Sequence, residues 1–191
     1  SFGLLLAIAF FVREEKGRLT PEGMRVKKLA HLATLVTLVT VVGVIMSELA
    51  NLLGGSLLDA FDSTTLRSFL SQTSIGRDYL VQIFAALAVM LFISRAKRVG
   101  AIYWALAFSL VGLLAPIFQS HASSAGNHGT AIGSLLFHVL FISLWVGGVI
   151  GLIVISPAER AASLPRFSSL ALWCAVIVAI SGVANAWTRL N

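Results

Sequence analysis

Residues 132–155 read IGSLLFHVLFISLWVGGVIGLIVI, a stretch without one formally charged side chain. A helix needs about 20 apolar residues to cross the hydrocarbon core of a bilayer, so this stretch is long enough to span a membrane. The same apolar character recurs at 29–50, 77–94, 99–119 and 167–188. The sequence therefore predicts an all-α fold, a polytopic transmembrane helix bundle with five full spans.

A further apolar stretch at residues 1–12 is too short to span a bilayer and is interpreted as a partial first span. The chain begins at Ser1 without a methionine, a charged leader region or a cleavage motif. We therefore interpret residues 1–12 as the tail of a helix. We expect residues 1–191 to form a single transmembrane domain, truncated at both ends and belonging to a longer membrane protein.

Composition excludes several classes of protein. The chain is 58% hydrophobic and only 12% charged, whereas soluble domains carry about 25% charged residues. Most of the surface must therefore face the lipid bilayer. The basic residues lie in short runs between apolar stretches and form no basic face interleaved with aromatics, so no nucleic-acid partner is predicted. No nucleophile–base constellation, phosphate-binding loop or HExxH motif is present, so no enzyme is predicted.

The distribution of charge predicts the orientation of the chain. Segments 13–28, 94–98 and 156–166 carry most of the 14 lysines and arginines. The positive-inside rule places these loops on the cytoplasmic side of the membrane and places segments 51–76 and 120–131 on the outer side. Segment 51–76 contains an amphipathic stretch around Leu66, Phe69 and Leu70, which predicts a short helix on the membrane surface.

Histidines are the leading functional candidates, because ionisable groups are costly in a membrane. His121 ends one span, His128 lies in the following loop, and His138 lies about two turns, or roughly 10 Å, into the next span. A short loop joins the two helices, so we expect them to be antiparallel neighbours that bring the three histidines together. Neutral imidazoles suit Cu, Zn or Ni, and the thioether of Met46, beside Glu48, would suit Cu(I).

Two alternatives remain open on the residues alone, because the spacing of these histidines matches no compact metal motif. In the first, a haem between His121 and His138 makes the protein a membrane cytochrome. His31, near the inner face, has no histidine partner for a second haem. In the second, the histidines only tie helices together in a ligand-free structural or assembly subunit.

Small and amide side chains predict how the helices pack. Gly147 and Gly151 form a GxxxG motif with Gly148 beside them, which favours close helix approach. Asn185 carries an amide that needs a partner in lipid, and we expect it to hydrogen-bond to a neighbouring helix.

Two segments carry a resemblance to a known family. SHASSAGNHGTAIGSLLFHVLFISLWVGG, at 120–148, resembles the copper resistance protein D (CopD) family, which has His-Ala at one helix end and then a histidine seven residues before Trp-x-Gly-Gly. RFSSLALWCAVIVAISGVANA, at 166–186, resembles the family's Arg-Phe-Ser entry and its exit of Ser/Thr-Gly (Ser181-Gly182) and Asn-Ala. TSIGRDYLVQ, at 73–82, is also similar, so the resemblance covers roughly residues 73–188.

The resemblance implies copper uptake, delivery or resistance at the bacterial cytoplasmic membrane. Carried over by position, it makes His121 and His138 the leading copper ligands, with Trp145, Gly147 and Gly148 shaping the helix behind them. The additional His128 resembles the actinobacterial form, fused to a CtaG-like domain, and implies respiratory oxidase assembly factors as partners. Met46 and Glu48 come from the predicted topology and not from the family motif.

Overall fold

The computed structural model describes residues 1–11, 14–15, 17–54, 59–119 and 128–190. Within them, five helices are long and apolar enough to cross a membrane, which confirms the all-α, polytopic prediction. Strands β1 (Glu14–Glu15) and β2 (Arg18–Leu19) pair antiparallel, and Asp59–Phe61 forms a 3-10 turn. The helices are α1 (Phe2–Phe11), α2 (Pro21–Leu52), α3 (Ser63–Gln72), α4 (Ser74–Arg95), α5 (Val99–Gln119), α6 (His128–Val154) and α7 (Pro157–Leu190).

Two helices begin well before their predicted spans. Helix α2 begins at Pro21 rather than at 29, and α7 begins at Pro157 rather than at 167. The hydroxyl oxygen of Thr20 accepts a hydrogen bond from the N–H of Gly23, and a proline at the first helical position fits the missing donor there. Hydropathy detects only the apolar part of a helix, so these polar first turns were predicted as loops.

The start of α6 corrects the predicted position of His128. His128 is the first residue of α6 and does not lie in the loop. His138 follows ten residues later, about 15 Å from His128 along the helix axis, because the helix begins one turn before the apolar span that starts at Ile132. The residues after His128 are uncharged, and they let the helix extend one turn further outward. His121 lies outside the described residues.

The short helix α1 occupies the centre of the bundle. Its Leu4, Leu5, Ala7 and Ile8 are buried and belong to the hydrophobic core. Helix α1 packs against α2, α5 and α6, whereas α5 and α6 contact each other only sparsely. It therefore takes the position beside α6 that we expected α5 to hold.

The small residues of α6 explain why α1 packs there. A Cβ added to Gly147 would overlap backbone atoms of Gly3, and a Cβ on Gly151 would lie 2.9 Å from the Cβ of Ala7. A Cβ on Gly148 would overlap the ring of Phe167 on α7. The predicted close approach at the GxxxG motif is confirmed, with α1 on one side of α6 and α7 on the other.

Hydrogen bonds tie the connections at one end of the bundle into a single layer. We call this the basic end; it comprises residues 17–28, the α4–α5 connection and the α6–α7 connection. The carboxylate of Glu22 accepts from the N–H of Ser156 at 3.1 Å. The ammonium of Lys27 donates to the carbonyl of Ala96 at 2.9 Å. Arg160 caps the end of α6 by donating to the carbonyls of Leu152, Ile153 and Ile155.

The opposite end of the bundle, which we call the histidine end, is covered in part by α3. This helix confirms the predicted amphipathic segment, and its Phe69 is buried against α2 and α4. Asp62 caps α3 by accepting from the N–H and hydroxyl of Thr65, and these hydrogen bonds lower the pKa of the Asp62 carboxyl. The cap is therefore at full strength at neutral pH and weakens when acid titrates Asp62.

Candidate metal-binding site at the histidine end

The ring of His138 is held in the seam between α6 and α7. Its Nδ1 lies 3.2 Å from the carbonyl oxygen of Val178 and 3.2 Å from the hydroxyl oxygen of Ser181. Gly182 leaves room for the ring, since a Cβ at that position would lie 3.4 Å from Cε1 of His138. Helix α7 thus fixes the orientation of the imidazole through two polar contacts and one glycine.

The hydrogen-bond network assigns the tautomer of a neutral His138. A backbone carbonyl can only accept, and the Ser181 hydroxyl has its own acceptors in the carbonyls of Ile177 at 2.6 Å and Val178 at 3.2 Å. Both groups facing Nδ1 therefore act as acceptors, so Nδ1 carries the proton. Nε2 is then the unprotonated nitrogen, and its lone pair is available to a metal ion.

A second hydrogen bond joins the same two helices closer to the histidine end. The hydroxyl of Ser134 donates to Oδ1 of Asn185, which confirms the predicted interhelical role of Asn185. Ser134 and His138 are four residues apart, as are Ser181 and Asn185, so each pair lies on one helix face. The seam thus carries a short polar track, which we call the α6–α7 polar seam.

Sequence reasoning included Ser181 in the Ser/Thr-Gly motif of the resemblance but gave no function to it or to Ser134. The signal that pointed to them was their spacing, because each lies four residues from a polar side chain already singled out. A single sequence shows which residues share a helix face, but it does not show which two faces meet. The pairing of His138 with Ser181 therefore emerges only from the fold.

The other predicted histidine ligands are not placed by the described residues. His121 lies outside them, and only the backbone of His128 is described, at the start of α6. Among the side chains that the structure describes, no three His, Cys, Asp or Glu groups come together as a metal site. The convergence of His121 and His128 on His138 remains a prediction.

Met46 and Glu48 lie on a different part of the bundle from the His138 contacts. Met46 packs against the cluster that contains Phe69, between α2, α3 and α4. Glu48 is exposed. His138 instead contacts α7, and α2 packs mainly on α4 and α1. A role for Met46 in metal binding therefore remains a prediction that these contacts do not support.

The Trp-x-Gly-Gly segment contributes packing around the seam. Trp145 is partly exposed, with 38% of its surface accessible. Gly147 and Gly148 bring α6 against α1 and α7, respectively. By setting the distance between α6 and α7, Gly148 helps to place His138 within reach of Ser181.

A separate cavity of about 550 Å³ lies between helices of the bundle. Helices α1, α2, α4, α5 and α6 line it, and its walls are mostly apolar, with no charged side chain. Its few polar side chains include Gln82 and Ser143, but His138 is not part of the lining. The cavity and the α6–α7 polar seam are thus distinct features.

Comparison with known proteins adds independent information. Residues 1–130 match the family described as copper resistance protein D-like, N-terminal domain. The copper transport protein CutJ of Bacillus subtilis (strain 168) is 30% identical over 148 residues, a match that covers 69% of this chain and 27% of the relative. This chain thus spans about a quarter of the length of that relative. No solved structure matches.

The family match covers α1 to α5 and the positions of His121 and His128, and it ends before His138. It therefore rests largely on residues that contributed little to the resemblance found in the sequence, where most of the motifs lie between 120 and 186. The two lines of evidence overlap at residues 73–130 and lead to the same family. With 130 of its 191 residues matched, the chain belongs to the copper resistance protein D-like family.

Proposed function

We propose that this chain binds copper at the histidine end of a bacterial cytoplasmic membrane protein that takes up, delivers or detoxifies the metal. Family membership supports a copper-related role in the membrane. The observation that carries the proposed site is the contact of His138 Nδ1 with Val178 and Ser181, which leaves Nε2 as the metal-binding nitrogen.

The chemistry of the seam suits a histidine ligand. Metal-binding histidines commonly donate their other N–H to a carbonyl or carboxylate, which fixes the ring and raises its basicity. His138 has this arrangement, with a backbone carbonyl and a serine hydroxyl facing Nδ1. Imidazole is a good ligand for copper, and the ring of His138 is half-buried and held in one orientation by its contacts with α7.

The depth of His138 supports transfer of the copper ion from the outer loop into the helix bundle. His128 begins α6 and His138 lies about 15 Å further along it. In our proposal the segment with His121 and His128 captures the ion at the outer face, and His138 receives it within the membrane. A CtaG-like domain or an oxidase assembly factor is the partner we propose for its delivery.

The first test measures metal content and the visible spectrum of the full chain, purified in detergent and loaded with Cu(I), beside the His121→Ala/His138→Ala variant. We expect copper in the parent, no Soret band, and loss of copper in the double variant. A Soret band in the parent would favour the haem alternative. A colourless parent that takes up no Cu(I) would leave the ligand-free assembly subunit.

Copper binding is expected to weaken on acidification below about pH 6, because imidazole must be deprotonated to bind a metal. The measurement is copper retention after equilibration at a series of pH values between about 7 and 3. Retention that stays constant from about pH 7 to 5.5 and falls only near pH 3 would point to carboxylate or thioether ligands instead.

Ser181→Ala is expected to reduce copper affinity by about tenfold, within the range of 10 to 100-fold found for outer-shell partners of metal ligands. The change removes one acceptor at Nδ1 and leaves the Val178 carbonyl. The matched control is Ser169→Ala, an exposed serine on the same helix. The two variants are compared by competition with a Cu(I) chelator, and equal affinities would remove Ser181 from the site.

A further inference from the structure

Two arginines at the basic end are held directly opposite each other. Arg18 of β2 and Arg98, just before α5, form an antiparallel β-bridge. The N–H after each arginine donates to the carbonyl before the other, with N···O distances of 3.4 Å and 3.1 Å. Arg18 and Arg98 lie between these two hydrogen bonds and so form a non-hydrogen-bonded antiparallel pair. In such a pair the Cα atoms lie about 4.5 Å apart and the two side chains are on the same face.

Such a pair of like charges is unfavourable without a counter-ion, because directly opposed cations destabilise paired strands. Both arginines are exposed, and neither forms an ion pair with any side chain that the structure describes. Arg95 and Lys97, also exposed, add to the positive charge. In the backbone register of β1 and β2, Arg18 lies opposite Glu15.

The chemistry and the depth of this arrangement fit a phosphate group of the membrane. Guanidinium groups bind phosphate through two parallel hydrogen bonds, so a neighbouring pair can hold one phosphate between them. Tyr103 and Trp104 follow one turn later on α5 and are 55% and 62% exposed. Exposed aromatics of this kind mark the headgroup level of a bilayer, which places the arginine pair among lipid phosphates.

We propose that Arg18 and Arg98 together bind the phosphate of an anionic phospholipid headgroup. The lipid supplies the counter-charge for the bridge and fastens β2 to the α4–α5 connection. This site lies at the basic end, away from His138, and does not depend on the proposed copper function.

The test counts lipid bound to the full chain by native mass spectrometry during titration with phosphatidylglycerol in a neutral detergent. The parent is expected to retain one phosphatidylglycerol in preference to phosphatidylcholine. Arg18→Gln/Arg98→Gln is expected to weaken this retention about 30-fold, as for the loss of two basic residues at a membrane surface. Arg67→Gln/Arg77→Gln removes the same charge at the histidine end and is expected to behave as the parent.

Equal retention by the parent and the Arg18→Gln/Arg98→Gln variant would overturn the proposal, as would an equal loss in the control variant. Displacement of the lipid by millimolar inorganic phosphate would also overturn it and assign the site to a soluble anion. If circular dichroism shows that the glutamine variant does not fold, lipid retention is measured for the Arg18→Lys/Arg98→Lys variant instead. It keeps both charges without the planar fork, so we expect weaker retention, and parental retention would contradict the paired contact.

Discussion

Gly147→Leu is expected to lower the free energy of unfolding of the bundle by about 3 kcal/mol, the upper range for overpacking a closely packed interior. A Cβ at position 147 would overlap backbone atoms of Gly3, and a backbone cannot move aside as a flexible side chain can. The substitution must therefore separate α6 from α1, the helix at the centre of the core. The measurement is chemical or thermal unfolding in detergent, followed by circular dichroism.

Gly133→Leu is the matched control for this prediction. It makes the same change on the same helix, where an added Cβ would meet no atom of another residue within 4 Å. We expect the control to unfold like the parent or slightly later, since leucine favours a helix over glycine by about 1 kcal/mol. Equal stability of the two variants would show that α1 does not pack against Gly147 as described.

His138→Ala is expected to reduce Cu(I) affinity by more than about 100-fold, because losing a ligand costs more than losing its hydrogen-bond partner, which costs 10 to 100-fold. The affinity is measured by competition with a Cu(I) chelator. His31→Ala is the matched control, since His31 lies near the basic end and its Nδ1 makes no hydrogen bond within the described residues. We expect this control to bind copper like the parent.

His138→Asn separates the two roles of the histidine. The asparagine amide can still donate to the carbonyl of Val178, so the contact between α6 and α7 is expected to survive. The amide provides no imidazole nitrogen, so copper affinity is expected to fall as far as in His138→Ala. Parental copper affinity in the asparagine variant would mean that His138 serves only to hold α7.

The sequence predicted the membrane-spanning class and several details of packing correctly. The apolar stretches correspond to α2, α4, α5, α6 and α7, and the amphipathic stretch around Phe69 corresponds to α3. The GxxxG motif predicts a close helix contact but does not identify the helix that meets it. These features depend on local composition and helical spacing, which a sequence contains directly.

The sequence did not predict the contacts between segments that lie far apart in the chain. Helix α1 is too short to show a periodic pattern, and its central position depends on Gly3 fitting against Gly147. The ties from Glu22 to Ser156 and from Lys27 to Ala96 join residues far apart in the chain. Such pairings are decided by tertiary packing, so one sequence does not reveal them.

The candidate site was predicted only in part for the same reason. His138 was identified because a histidine in an apolar span is unusual. Its partners Val178 and Ser181 lie on another helix, and their contact with Nδ1 is what gives the histidine a defined tautomer. Met46 was placed by its depth in the membrane alone, and depth does not determine which side of the bundle a residue faces.

Copper-edge X-ray absorption of the Cu(I)-loaded full chain tests the central claim most directly, with the parent measured beside His138→Ala. Our account predicts that copper in the parent has nitrogen ligands and shows the outer-shell scattering of imidazole ring atoms. In the variant, we expect less bound copper and one imidazole ligand fewer for each copper ion. A spectrum that is the same in both proteins, or one that shows only sulfur ligands in the parent, would contradict the assignment of copper to His138.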